Sequence, residues 1–385
     1  MKLAFSTICI NPTRPTKQHG FLYQVNPIYN FHDDLHARII AFENEEEVVY
    51  VISGDVLGFP IAMQNNLEKI LQPKTAKTVR VTMSGTHTHF GGELKDLRYQ
   101  GEVMEKLVYA IEYLEFKEYE NLEISYQCIP FEKVGKSRIS NHKANVLLQL
   151  FTIYDNKEPL VQMIVHNCHP TIHHGETPYF TSEYPGYVLQ QLKNKYPNTY
   201  FTFFQGAAGD VSTRFTRKSQ DYAAVIELGN HMVDAITCLM NEDKEYVPLD
   251  KFVYDATIVP MSHEFHPIDL SNIPDNLSER ELFTINEGVI MREALSKRLH
   301  TLDTYIIVSK LDLGSYTLVF MPNEAFSSYI NCMDIKRSAL VAYANGYSPY
   351  ITGIDDNFIT YEKFTDTVTV EAKKELMKVL EGYGR

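Results

Sequence analysis

The chain has 385 residues, 44% of them hydrophobic, which is enough to bury a sizeable core in one or two domains. Its formal charge of −13, with no basic block to offset it, excludes nucleic acid and anionic lipid surfaces as expected partners. Five scattered cysteines (Cys9, Cys128, Cys168, Cys238, Cys332) with no CxxC pair read as reduced thiols.

In chain order, Met1 to Ile10 carries one charge and an apolar run that Asn11-Pro12 cuts short, so it reads as a first strand and not as a signal peptide. Val48 to Ser53 and Val79 to Ser84 are apolar runs of buried-strand length, whereas Asn121 to Lys133 and Val146 to Tyr154 alternate like half-exposed strands. Leu160 to Val165 and Thr199 to Phe204 are again continuous. Val225, Leu228, Met232, Ile236 and Leu239 then recur at helical spacing. The polar stretch from Ser262 to Asn276 reads as a long loop or lid and precedes a charged helix from Leu277 to His300. Strands at Tyr316 to Met321 and Leu340 to Tyr343 and a helix near Glu371 to Glu381 complete the chain. The pattern predicts an α/β fold with a mixed β-sheet core, in one or two layers, covered by helices. No repeat or linker divides the sequence, so one domain over 1–385 is expected. No window of about eighteen apolar residues is present, and a cytoplasmic protein without a transmembrane segment is the expectation.

Five of the apolar strands hand the chain directly to polar residues. Val79 to Ser84 leads to Thr86-His87-Thr88-His89, and Leu160 to Val165 leads to Asn167-Cys168-His169-Pro170. Thr199 to Phe204 leads through Gly206-Ala207-Ala208-Gly209 to Asp210 and Ser212. Tyr316 to Met321 leads to Glu324, and Leu340 to Tyr343 leads to Tyr347 and Tyr350. Open sheets place ligand sites at the trailing edges of buried strands. Imidazoles fixed there, yet open to solvent, suggest a metal hydrolase. If the strand continues through His87 and His89, both rings project from one face. Local roles are also available: Asp210 and Ser212 as helix caps, Glu324 at the start of a helix near Ala325, Tyr350 as a half-buried tyrosine, His173 and His174 as solvated loop residues. His231, His263 and His266 receive no role.

Taken in order, the segments resemble the catalytic domain of the neutral, non-lysosomal ceramidases. They are His32-Asp33-Asp34-Leu35-His36-Ala37-Arg38, Ser53-Gly54-Asp55-Val56-Leu57-Gly58, Gly85-Thr86-His87-Thr88-His89-Phe90-Gly91-Gly92, His169-Pro170-Thr171, Glu183-Tyr184-Pro185-Gly186-Tyr187, Gln205-Gly206-Ala207-Ala208-Gly209-Asp210-Val211-Ser212, Pro322-Asn323-Glu324-Ala325-Phe326 and Ala344-Asn345-Gly346-Tyr347-Ser348-Pro349-Tyr350. The resemblance implies one zinc ion held by His87, His169, Glu324 and Tyr350, with Tyr347 the rival for the last position. It implies that zinc-activated water attacks the amide of an N-acyl substrate, ceramide-like or another N-acyl compound. His89 would stand behind the ligands as hydrogen-bond partner and proton carrier. Ser212 matches the family's essential serine, as nucleophile or as positioning hydroxyl, and Asp210 would orient its neighbours.

Two departures accompany the match. Family members carry an asparagine-arginine pair before the second histidine, its arginine reaching the active site. The counterpart here is Asn141-His142, a titratable ring where a permanent cation is expected, with consequences for substrate binding. The family's Asp-Ile-Thr-Pro opening is reduced to Ile10-Asn11-Pro12-Thr13; a catalytic domain without the family's immunoglobulin-like domain is the expectation. A zinc amidase is the leading expectation. A metal-dependent esterase or phosphoester hydrolase comes next, followed by a non-catalytic binding protein that keeps the fold.

Overall fold

Valine-, isoleucine- and phenylalanine-rich runs lose little by being extended and gain by burying both faces, and in this chain they do so three times on one plan. A computed structural model describes residues 1–21, 26–139, 142–265, 273, 277–302, 304–356 and 359–384. In the first unit β1 (Lys2–Cys9), β2 (His36–Glu43) and β3 (Glu47–Gly54) run antiparallel, and helix α1 (Ile61–Leu71) carries the chain to β4 (Thr78–Gly85), parallel to β3. After α2 (Leu97–Glu112), the antiparallel β5 (Leu122–Pro130), β6 (Leu147–Asp155) and β7 (Glu158–His166) are followed by α3 (Glu183–Lys195) and by β8 (Tyr200–Gln205), parallel to β7. Past α4 (Tyr222–Asn241) come β9 (Phe252–Pro260), α5 (Glu279–Ser296), β10 (Tyr305–Leu313), β11 (Tyr316–Phe320), β12 (Asn323–Ala325), β13 (Ser338–Val341), β14 (Ser348–Ile351), α6 (Tyr361–Thr365) and α7 (Val370–Tyr383). Here β9, β10 and β11 are antiparallel, and β13 lies parallel to β11. Each unit is thus an antiparallel meander with a crossover to a fourth, parallel strand.

The mixed α/β core covered by helices is present, but it is spread over three sheets where the patterning suggested one or two layers. Their inner faces share one cluster that includes Phe42 and Val51 from the first sheet, Phe151 and Phe204 from the second, and Leu318 and Phe320 from the third. The outer faces are covered separately: Met63 and Val103 of α1 and α2 pack on the first sheet, Leu192 and Met232 of α3 and α4 on the second, Leu376 and Leu380 of α7 on the third. Helix α4 is long and apolar enough to span a bilayer by length and composition, contrary to the reading of the sequence. Its apolar stripe, Val225, Leu228, Met232, Ile236 and Leu239, lies buried in the cluster over the second sheet.

Strands β2, β9 and β10 are ones the patterning left unassigned. The charged helix starts at a capping box, Ser278 with Glu281, as the sequence places it. Of the predicted 262–276 loop, residues 266–272 and 274–276 lie outside the described residues. The parallel pairs meet at their trailing ends. Gly85 N donates to Tyr343 O at 3.1 Å, Asn345 N to Met83 O at 3.0 Å and Ala342 N to Gln205 O at 2.9 Å, while Ser53 Oγ donates to Phe203 O. Three chain-distant units are laced together where their loops begin. Phe204 is fully buried, its ring 6.2 Å from that of Phe320. Phe204→Ala is expected to cost about 3–5 kcal/mol by cavity formation, read as a shift in the urea-unfolding midpoint.

Candidate metal centre

Strand β4 ends at Gly85, and the next turn is governed by a buried ion pair. Asp55 accepts Arg38 Nη1 at 3.0 and 3.1 Å, His36 N at 2.8 Å and Thr86 Oγ1 at 3.4 Å. Thr86 N donates to Gly54 O and His87 N to Val56 O, which hold His87 in the left-handed region at φ 65°. The strand therefore does not continue through the histidine pair, and the expected same-face geometry is replaced by a turn. The rings still come together, 5.1 Å apart and nearly perpendicular. His87 Nδ1 donates to Leu57 O at 2.9 Å, leaving Nε2 buried without a hydrogen bond.

His169, just beyond β7, is fixed in the same manner. Its Nδ1 donates to Ala208 O at 2.8 Å and Val211 O at 3.1 Å, and its backbone forms a bridge with Ser212. Glu324, on β12, projects its Oε2 to 3.3 Å from His169 Nε2 and 3.4 Å from His87 Nε2. Its other oxygen accepts from Tyr347 Oη at 2.5 Å. Burial opposes ionisation of Glu324, but the His87 and His169 imidazoles together hold its carboxyl well below the usual range. Burial and then Arg138 push His169 down to about 4, and burial followed by His87 and His169 holds His89 well below its ordinary value. These directions favour neutral His89 and His169 imidazoles, the state that binds metal.

His89 stands close to the expected ligands. One donor atom each from His87, His89 and His169 lies within 4.8 Å of the others, and His89 Nε2, like His87 Nε2, is buried without a hydrogen bond. Orphaned buried nitrogens are rare, and three imidazoles beside one carboxylate fit a divalent transition ion. Of the rival tyrosines, Tyr347 reaches Glu324 directly. Tyr350 pairs with Glu324 in the β12–β14 register, but its ring lies over the Arg138 guanidinium at 5.3 Å and beside Tyr361. Burial raises the pKa of both phenols well above the ordinary value.

Sequence reasoning missed two residues. Tyr343, at φ 55°, stacks on His87 at 3.9 Å with its buried hydroxyl unpartnered. Arg138 brings a guanidinium against the Tyr350 ring, pairing with Glu362 at 2.8 Å and donating to Gly209 O at 2.5 Å. Neither has a local sequence signal, since both are brought in by tertiary contacts. Asn141 lies outside the described residues. His142 donates to Asp210 at 2.9 Å, and Asp210 also accepts Ser327 N and Oγ at 2.6 and 2.8 Å. Ser212 Oγ accepts from Arg214 N at 3.4 Å and caps the short turn 213–215. Glu324 begins no helix, since it lies within β12. His173 is no solvated loop residue: it is buried and donates to Glu183 at 2.7 Å. The backbone of Gly20 crosses so near the site that a Cβ there would lie 2.7 Å from His89 Nδ1, which requires glycine.

No family model and no curated protein sequence matches the chain. Solved structures do: a ceramidase complexed with C2 and the neutral ceramidase from Pseudomonas aeruginosa each give a TM-score of 0.74 at 12% identity, over 100% of this chain and 74% of theirs. The fold implied by the motif order is therefore the fold found.

The hydrogen bond to Asp210 raises the pKa of His142 above 6.5 in spite of partial burial. A raised folded pKa gives stability that is full below the unfolded value and is lost as pH climbs through the folded one. His142→Gln is expected to lower Tm more near pH 5.5 than near pH 8.5. Equal losses in thermal scans at the two values would refute the charged pair.

Proposed function

We propose that this protein is a zinc-dependent amidohydrolase that cleaves the C–N bond of an N-acyl substrate. The observation that carries the reading is the convergence of His87, His89, His169 and Glu324, with the Nε2 atoms of His87 and His89 buried and unpartnered, in a fold shared with ceramidases. Bound there, zinc would supply Lewis acidity for a carbonyl and bring the pKa of water towards neutrality. The chain's own residues do the rest. Carbonyls of Leu57, Ala208 and Val211 fix the imidazoles, leaving each Nε2 free to ligate. Tyr347 anchors Glu324 as the carboxylate ligand.

Tyr343 and Tyr350, kept as neutral phenols by burial, are O–H donors for the oxygen charge that develops during acyl transfer. Tyr350 acts on this reading as a donor beside Arg138 more than as a metal ligand. His89 serves as a third imidazole. Ser212 positions the loop beside His169 through its cap and its backbone bridge, which favours positioning over nucleophilic attack. The solved ceramidase bound to C2 supports a lipid N-acyl compound as one substrate candidate.

Metal analysis with a substrate panel tests the proposal. The purified chain is expected to hold about one zinc per molecule, to lose turnover to a chelator and to regain it with zinc. It should cleave amides ahead of matched esters and phosphoesters. His169→Ala should lower amide turnover by more than about 100-fold. A protein that takes up no zinc and cleaves no amide is a binding protein on a hydrolase fold, and the proposal fails.

A further inference from the structure

In a chain whose net charge is −13, arginines gather around the turn after Ser212. Arg138 and Arg217 are tied to the loops flanking His169: Arg138 donates to Gly209 O, while Arg217 donates to Thr171 O, two residues past His169, and to Thr213 Oγ1 at 3.3 Å. Arg214 stands between Ser212 and Arg217. Its backbone N–H bonds to Ser212 Oγ, but its half-buried guanidinium makes no hydrogen bond or ion pair among the described residues. Arg280, exposed, opens α5. That helix packs on α6, where a Cβ at Gly288 would meet Phe364 and Tyr361, and α6 carries the Glu362 that pairs with Arg138.

Arg138 and Arg217 thus hold the loops on either side of His169, and the charges of Arg280, Arg138 and Arg217 all act on Arg214 on the turn between them. Burial, Arg280 and Arg138 push the Arg214 guanidinium down to about 10, so its neighbours repel it. Glu362 opposes this, but it is already paired with Arg138. Folding alone gains nothing from a half-buried, unpaired guanidinium among like charges. A carboxylate ligand would relieve both the repulsion and the missing hydrogen bonds, and the planar fork of arginine suits it bidentately.

We infer that Arg214, with Arg280 beside it, binds an anionic group on the substrate, so that the amide cleaved is that of a carboxylate-bearing N-acyl amino acid. The inference rests on the hydrolase reading above. In the reaction the oxygen of water joins the acyl carbon, the C–N bond breaks and the nitrogen leaves with the proton, giving a carboxylic acid and a free amino acid.

The test compares N-dodecanoylglycine with the neutral N-dodecanoylethanolamine on the zinc-loaded full chain. The expected kcat/KM ratio favours the anionic amide by about tenfold or more, and its KM rises with salt while that of the neutral amide does not. Arg214→Gln should reduce the ratio by about tenfold, and Arg214→Lys should restore part of it. Equal turnover of the two amides, or an unchanged ratio in Arg214→Gln, overturns the inference and leaves the hydrolase reading intact. Turnover of neither amide overturns both. The wild-type salt comparison needs no variant to fold.

Discussion

A single buried carboxylate organises the centre. Glu324 touches the inward nitrogens of His87 and His169 with one oxygen and takes the Tyr347 hydroxyl on the other. Burying a charge is costly unless it is paired and hydrogen-bonded. The three residues that meet it come from different parts of the chain: His87 follows β4, His169 follows β7 and Tyr347 follows β13. Glu324 itself sits just past β11. Its environment can form only when all three sheets have docked, so assembly of the core and completion of the site are one event.

The threefold use of one topology explains how such distant residues meet. In each unit the third and fourth strands are parallel, and parallel strands end together on the same edge. Three such edges, facing inward around a shared apolar cluster, place six loops at one end of the core. The Gly85–Tyr343, Asn345–Met83 and Ala342–Gln205 hydrogen bonds close that end. The units share pattern but no recognisable residues, because a buried parallel strand asks only for apolar bulk and its loops have diverged into different ligands.

Much of this was legible in the sequence, for a physical reason. Both faces of the inner strands are largely covered, so β3, β4, β7, β8 and β11 are mostly apolar runs and the polar residues after them stand out. His87, His169 and Glu324 are found this way. What the sequence concealed depends on tertiary contact. Arg138 is one basic residue in a polar stretch until Gly209 and Glu362 fix it. Tyr343 lies at the end of a strand-like run and is distinguished by a backbone angle that no periodicity encodes. Strand β2 was obscured by the charged residues leading into it, and its Arg38 turns out to be buried against Asp55. The same-face reading of His87 and His89 failed because spacing gives the order of side chains along a strand but not the turn that ends it.

Backbone strain is concentrated where the chemistry would be. Among the described non-glycine residues with positive φ, His87, Tyr343 and Asn345 all lie in the loops that close the site, and Glu183 opens α3, the helix that follows His169. Such conformations cost of order 1–3 kcal/mol each and persist when the surroundings over-determine them. Here they do: Val56 O holds the His87 amide, Met83 O holds that of Asn345, and the Asn345 side chain reaches Ser309 Oγ at 2.8 Å. In return, Tyr343 lies flat against His87. A centre built in this way is set by the sheets beneath it, and so the imidazoles, carboxylate and phenols keep their geometry without a ligand to gather them.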